Sequence, residues 1–237
     1  MLDLIAKQPF PGFEKDALKF LNTLSNPANN NKAWFDEHRN EYEIYLKEPM
    51  RNLIDTLSEK ISKIDSDIVV NYKSIFRINR DIRFSKNKAP YKSHYSAAFA
   101  FDRVKSSDIP QFYFHFNKDE FLFAAGQYSS DINYLKKIRK GIYSDFKYFR
   151  SIIENKKFIA NFGSVNGESL IKLPKDYGNI PTDKDGSLLI KYLKMKQYYV
   201  FKTYKPEIIL DENITEVITG NISLSLNFTK FLNSVSK

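Results

Sequence analysis

The chain has 237 residues, 42% of them hydrophobic and 15% aromatic, enough to bury one sizeable core or two small ones. It contains no cysteine, which excludes disulfides, cysteine-ligated zinc or iron–sulfur sites and thiol nucleophiles. Its formal net charge of +9 suits an anionic partner, although a chain this rich in Lys, Asn, Ile and Tyr is equally what an AT-rich genome produces.

Residues 1–10 lack a cationic segment followed by an apolar core, and no apolar run approaches the roughly 18 residues of a membrane span. A cytoplasmic location with no membrane partner is therefore expected. Phe13, Ala17, Phe20, Leu21 and Leu24 recur at helical spacing and predict a first helix ending at Ser25-Asn26-Pro27. Asn29-Asn30-Asn31 supplies a cap for a second helix, with Trp34, Phe35, His38, Tyr42, Tyr45 and Leu46 along one side. Pro49 suits the first turn of a third helix carrying Leu53, Leu57, Ile61 and Ile64.

The period then changes from 3.6 to 2. An extended 75–84 turns Phe76, Ile78, Ile82 and Phe84 to one face and Arg77, Asn79, Asp81 and Arg83 to the other, leaving Arg80 on the apolar side. Residues 94–101 predict the next strand. Phe112, Phe114 and Phe116 alternate with Tyr113, His115 and Asn117, a polar turn follows at 118–120, and 121–125 runs back as a β-hairpin. Helical spacing returns in Ile132, Leu135, Ile138 and Ile142, with Asp131 as cap, and continues through 146–153. Residues 163–187 hold most of the remaining Gly, Pro and Asp and predict an irregular loop. A short helix near 187–193, a strand near 197–203 and a helical tail complete the chain. No repeat, low-complexity tract or long hydrophilic linker interrupts it. The expected architecture is a single α+β domain over 1–237, its mainly antiparallel sheet flanked by N-terminal and C-terminal helices.

The charge is concentrated. Residues 77–92 hold six cations, Arg77, Arg80, Arg83, Lys86, Lys88 and Lys92, against one acid, Asp81, so more than half of the net charge sits in sixteen residues. Alternate positions on a strand stand about 6.5–7 Å apart, which would line up Arg77, Asp81 and Arg83 to grip a multi-oxygen anion. The planar arginine fork binds carboxylate or phosphate through two parallel hydrogen bonds. Ser85, Lys86 and Lys88 add a hydroxyl and ammonium groups from the following loop, which Pro90 stiffens. The structural alternative is an Arg77–Asp81 pair within the sheet and merely solvated lysines. Arg80, placed among apolar neighbours, must either find a carboxylate from the early helices or open onto a cavity.

His38, His94 and His115 are too scattered for a metal site, with no third ligand evident, so neither metal nor cofactor is expected. His94, with an ordinary pKa near neutrality, is the better general acid or base, and Asp81 is the other candidate. Gly126, in Ala125-Gly126-Gln127-Tyr128, permits close approach of a ligand or a neighbouring element, or marks a bulge. Phosphate-loop, dinucleotide-binding, zinc-protease and serine-hydrolase signatures are absent.

Phe20-Leu21, Asn29-Asn30-Asn31 with Trp34-Phe35, Tyr42, Pro49, the block Arg80-Asp81-x-Arg83-Phe84-Ser85-Lys86-x-Lys88-x-Pro90-Tyr91-Lys92, Gly126-x-Tyr128 and Leu173-Pro174-Lys175-Asp176-Tyr177 span nearly the whole chain. In these the sequence resembles the domain-of-unknown-function 2461 family. Asn87 and Ala89 depart from that pattern, where an aspartate and a small hydroxyl residue are usual, which counts against a base or metal ligand at position 87. The resemblance implies a single α+β domain and brings no established activity.

The leading expectation is a phosphate-bearing or other anionic small molecule bound by Arg77, Arg80, Arg83, Ser85, Lys86, Lys88, Tyr91, Lys92, Gly126 and Tyr128. In an enzyme, Asp81 or His94 would transfer the proton. The second expectation is a nucleic-acid-binding module in which Tyr91, Tyr95 or Tyr128 stacks on bases. The third is a protein-interaction or scaffold domain, marked by an exposed aromatic patch away from the basic segment. Oligomeric state is not legible at this level.

Overall fold

In the computed structural model, which describes residues 9–102, 109–129, 132–178, 180–181 and 183–236, helix α1 (Lys15–Ser25) buries Ala17, Phe20, Leu21 and Leu24. Asn31 caps α2 (Lys32–Glu37), its side-chain oxygen accepting the Trp34 N–H at 3.0 Å. The expected second helix is not continuous. It breaks at His38, resumes as α3 (Arg39–Tyr42), widens into a π turn (Glu43–Lys47) and leads directly into α4 (Glu48–Ile64). Pro49 explains the widening, because it has no N–H for the Tyr45 carbonyl and its ring crowds that oxygen.

A short β1 (Ile68–Val69) precedes β2 (Tyr95–Phe101), which is buried along its whole length. Strands β3 (Gln111–Phe116) and β4 (Phe121–Gln127) form the expected hairpin and bury Phe112, Phe114, Phe116, Phe121 and Phe123. Asn117 ties their turn, its side-chain oxygen accepting the N–H groups of Asp119 and Glu120 at 2.7 and 3.0 Å. Next come α5 (Ile132–Ser144), α6 (Phe146–Ile153) and α7 (Lys156–Phe162), then α8 (Lys184–Leu193), β5 (Tyr198–Tyr204) and the long α9 (Ile214–Ser236). Asp131, the expected cap of α5, lies outside the described residues. The sheet is antiparallel, five strands in the order β1-β2-β3-β4-β5, and the fold is α+β with helices at both ends. No described helix is long and apolar enough to cross a membrane.

The described residues fall into two compact units. The first is drawn from Met1–Ala98, Phe114–Leu122 and Thr203–Gly220, the second from Phe99–Tyr113, Phe123–Lys202 and Asn221–Lys237. In the first, Phe35 packs edge-on against Phe20 and tilted against Tyr42, ring centroids 6.3 and 5.3 Å away. In the second, Phe149 meets Tyr192 at 5.1 Å and Phe231 at 5.3 Å. Gly126 belongs to the second unit and has φ +116°, and a side chain there would strike the Tyr198 carbonyl oxygen. Of the roles open to this glycine, close approach of a neighbouring strand is the one the structure uses.

One expected strand is absent. Residues 75–84 join the sheet only through an isolated antiparallel bridge, Ile75 to Ala97, and otherwise form one side of an arm folded on itself. The Arg80 N–H donates to the Pro90 carbonyl at 2.8 Å and the Lys92 N–H to the Ile78 carbonyl at 2.9 Å, with a turn closed by Ser85 N–H to Ile82 O at 3.3 Å. Pro90, which has no N–H, limits the ladder that this pairing can build. Phe84 therefore lies at the tip of the arm, 94% exposed, and not on an apolar sheet face.

Candidate anion-binding cleft

An asparagine side chain helps to fasten the arm. Asn30, between α1 and α2, accepts the Tyr91 N–H at 3.0 Å and donates to the carbonyls of Tyr91 and Leu24, each at 3.1 Å. Its amide thus completes the backbone bonding of Tyr91 as a neighbouring strand would. The Tyr91 ring stacks on Phe35 with centroids 4.0 Å apart. Between the Asn30 loop and the returning limb of the arm lies a cleft of about 300 Å³.

Arg80, Lys92 and His94 supply the chemistry of its lining, with Ser25, Asn30, Asn87 and Ser93 as further polar groups. Arg80 is half-buried, and its two terminal nitrogens donate to the Ala89 carbonyl at 3.0 Å and the Ser85 hydroxyl oxygen at 3.3 Å. Among the described residues it pairs with no carboxylate. Of the two outcomes open to this arginine, the structure has the cavity. Lys92 donates to the Arg77 carbonyl at 2.9 Å and lies 5.2 Å from the Phe76 ring centre. Burial lowers its pKa, and the Arg77 charge adds to the effect. His94 is pushed down to about 4 by burial, then by His115 and Lys92. Its ring centre is 5.2 Å from that of His115, whose Nε2 lies 3.5 Å from a Glu120 carboxylate oxygen. No acidic side chain is among the described residues that line the cleft.

Other residues expected at the site lie elsewhere. Asp81 does not pair with Arg77; its carboxylate takes the Arg83 guanidinium in a two-point grip at 3.0 and 2.7 Å, with both groups largely exposed. Chain direction explains the change, because the turn after Ile82 swings Arg83 back beside Asp81. That bond holds Asp81 below the usual carboxylate range. Lys88 donates to the Ile82 carbonyl at 3.0 Å, and Lys86 and Arg77 stand exposed. Ser85 takes part through Arg80. Gly126 and Tyr128 belong to the second unit. Tyr91 and Tyr95 are 6% and 2% exposed, so burial removes the ring faces that base stacking requires. Tyr128, 68% exposed, lies 5.3 Å from Tyr199, which in turn lies 6.3 Å from the exposed Phe201.

A second depression, about 220 Å³, is lined by Asp16, Lys19, Phe20, Trp34, His38 and Glu41. Its charges are mixed, with Lys19 3.9 Å from Asp16, and Trp34 stacks on His38 at 4.0 Å. Among the described residues no group of three His, Asp or Glu side chains could hold a metal ion.

The arm, its asparagine clamp and the cleft fall within residues 16–231, the span matched by the pattern of DUF2461, described as a conserved hypothetical protein. The chain belongs to this family. A search of curated proteins found no match. In this DUF2461 member the family-like block 80–92 is the arm itself, and it contributes Arg80, Tyr91 and Lys92 to the cleft. Asn30, Asn87 and Ser93 were not foreseen as site residues. The available signal was the run of three asparagines, of which the helix cap needs only Asn31.

Proposed function

We propose that the chain binds a phosphate-bearing or other anionic small molecule in this cleft, with Arg80 and Lys92 as its cationic contacts and His94 as the group able to exchange a proton with it. The observation that carries the reading is Arg80, a half-buried guanidinium with no carboxylate partner among the described residues, at a cleft whose lining holds no acid. A charge placed this way favours an anion that replaces the water it has lost. Arg77, Lys86 and Lys88, exposed on the same arm, raise the local concentration of anions without touching the bound one.

The test is thermal unfolding of the wild type and Arg80→Gln with inorganic phosphate or sulfate. A ligand at one hundred times its Kd adds about 2.7 kcal/mol of stability, so the wild-type midpoint should rise and that of Arg80→Gln should stay flat. Equal shifts in both proteins would place the anion elsewhere.

The row Tyr128, Tyr199 and Phe201, exposed at Tyr128 and Phe201, favours a protein-interaction role as the second reading. Its simplest form is self-association, seen as concentration-dependent sedimentation that Tyr128→Ser removes.

A further inference from the structure

Resting on the anion reading, the geometry points to a narrower ligand class: a sugar or polyol monophosphate, and not a nucleotide. Three features of the cleft separate these classes. Its volume of about 300 Å³ is at the small end for ligand pockets, enough for a phosphoryl group and a compact body attached to it. The lining offers no open aromatic face. Its one aromatic residue apart from the imidazole of His94 is Tyr91, which is 6% exposed and already stacked on Phe35. A nucleobase would forgo the stacking that usually contributes about 1–3 kcal/mol per base.

What the lining offers beyond its cations is short and polar. Ser93 is exposed and its hydroxyl has no partner among the described residues. The Asn87 side-chain oxygen accepts the Ala89 N–H at 2.9 Å, which leaves its NH₂ donors for a ligand. Ser25 donates to the Asn22 carbonyl at 2.6 Å and keeps its oxygen lone pairs as acceptors. Hydroxyl groups, which both donate and accept, match this mixture. Arg80 and Lys92 then hold the phosphoryl oxygens while Ser93 and Asn87 engage hydroxyls on the carbon skeleton.

The experiment is isothermal titration of the full chain, at low salt, with inorganic phosphate, ribose 5-phosphate and adenosine 5′-monophosphate. Ribose 5-phosphate should bind about fivefold or more tighter than inorganic phosphate, as one or two added hydrogen bonds allow. Adenosine 5′-monophosphate should bind no tighter than ribose 5-phosphate. Ser93→Ala, a change at an exposed position, should weaken ribose 5-phosphate about threefold and leave inorganic phosphate unchanged. Equal affinities for inorganic phosphate and ribose 5-phosphate would overturn the sugar phosphate class while leaving the anion reading in place. Tighter binding of adenosine 5′-monophosphate would overturn it in favour of nucleotides. No binding of any of the three would overturn both readings.

Discussion

A guanidinium without a carboxylate is held in place by whatever neutral oxygen atoms lie within reach. Arg80 uses the Ala89 carbonyl and the Ser85 hydroxyl, one on each terminal nitrogen of its planar fork. Arg80→Lys keeps the charge but not the fork, so it should lose most of the phosphate-induced stabilisation expected of the wild type. His94 gives the site a pH dependence. Its proton affinity in the fold falls to about 4 from an ordinary value near 6.5, so between those values the unfolded chain binds more protons than the native one. Stability from this group is complete above about pH 6.5 and is lost as pH falls towards 4, by up to about 3 kcal/mol. Urea unfolding at pH 7 and pH 5 should show a loss that His94→Gln reduces. Sulfate, which does not titrate in this range, should bind more tightly at pH 5, because an anion in the cleft favours the protonated imidazole.

Among the elements, the hairpin and the arm show what alternation does and does not encode. Phe112, Phe114 and Phe116 alternate with polar residues and form a strand whose aromatic face is buried. Phe76, Ile78, Ile82 and Phe84 carry a similar pattern, yet Phe84 ends at an exposed turn. The difference lies in the partner. The hairpin finds its pairing across a turn of four residues, whereas the arm pairs with its own return limb and is held there at Tyr91 by an asparagine 61 positions earlier in sequence. A contact of that range leaves no periodic trace in the sequence, which is why the basic segment stood out in the sequence as a candidate while the cleft beside it did not. Asn30→Ala deletes three hydrogen bonds at once and should cost about 1–3 kcal/mol in urea unfolding, together with the phosphate response. Gly126→Ala should cost at least about 2 kcal/mol by the same measurement, since it adds a side chain at positive φ against the Tyr198 backbone.

At the level of the whole molecule, the two compact units are not separated along the chain. Strand β2 changes unit between Ala98 and Phe99, the β3–β4 hairpin supplies Phe114–Leu122 to the first unit and its flanks to the second, and α9 changes at Gly220. Elements that run through both give no linker at which one unit could unfold while leaving the other's strands whole. A single calorimetric transition, with equal calorimetric and van't Hoff enthalpies, is expected. Two resolved transitions would show that the units melt separately.

Trp34 is the only tryptophan in the chain, and its ring lies parallel to the imidazole of His38. Its ultraviolet emission reports on the loop that fastens the arm, since Trp34 follows Asn30 by four positions and its N–H donates to the side-chain oxygen of the intervening Asn31. Without an added dye, a spectrometer set to indole emission can therefore follow any shift of the neighbouring clamp when phosphate is added.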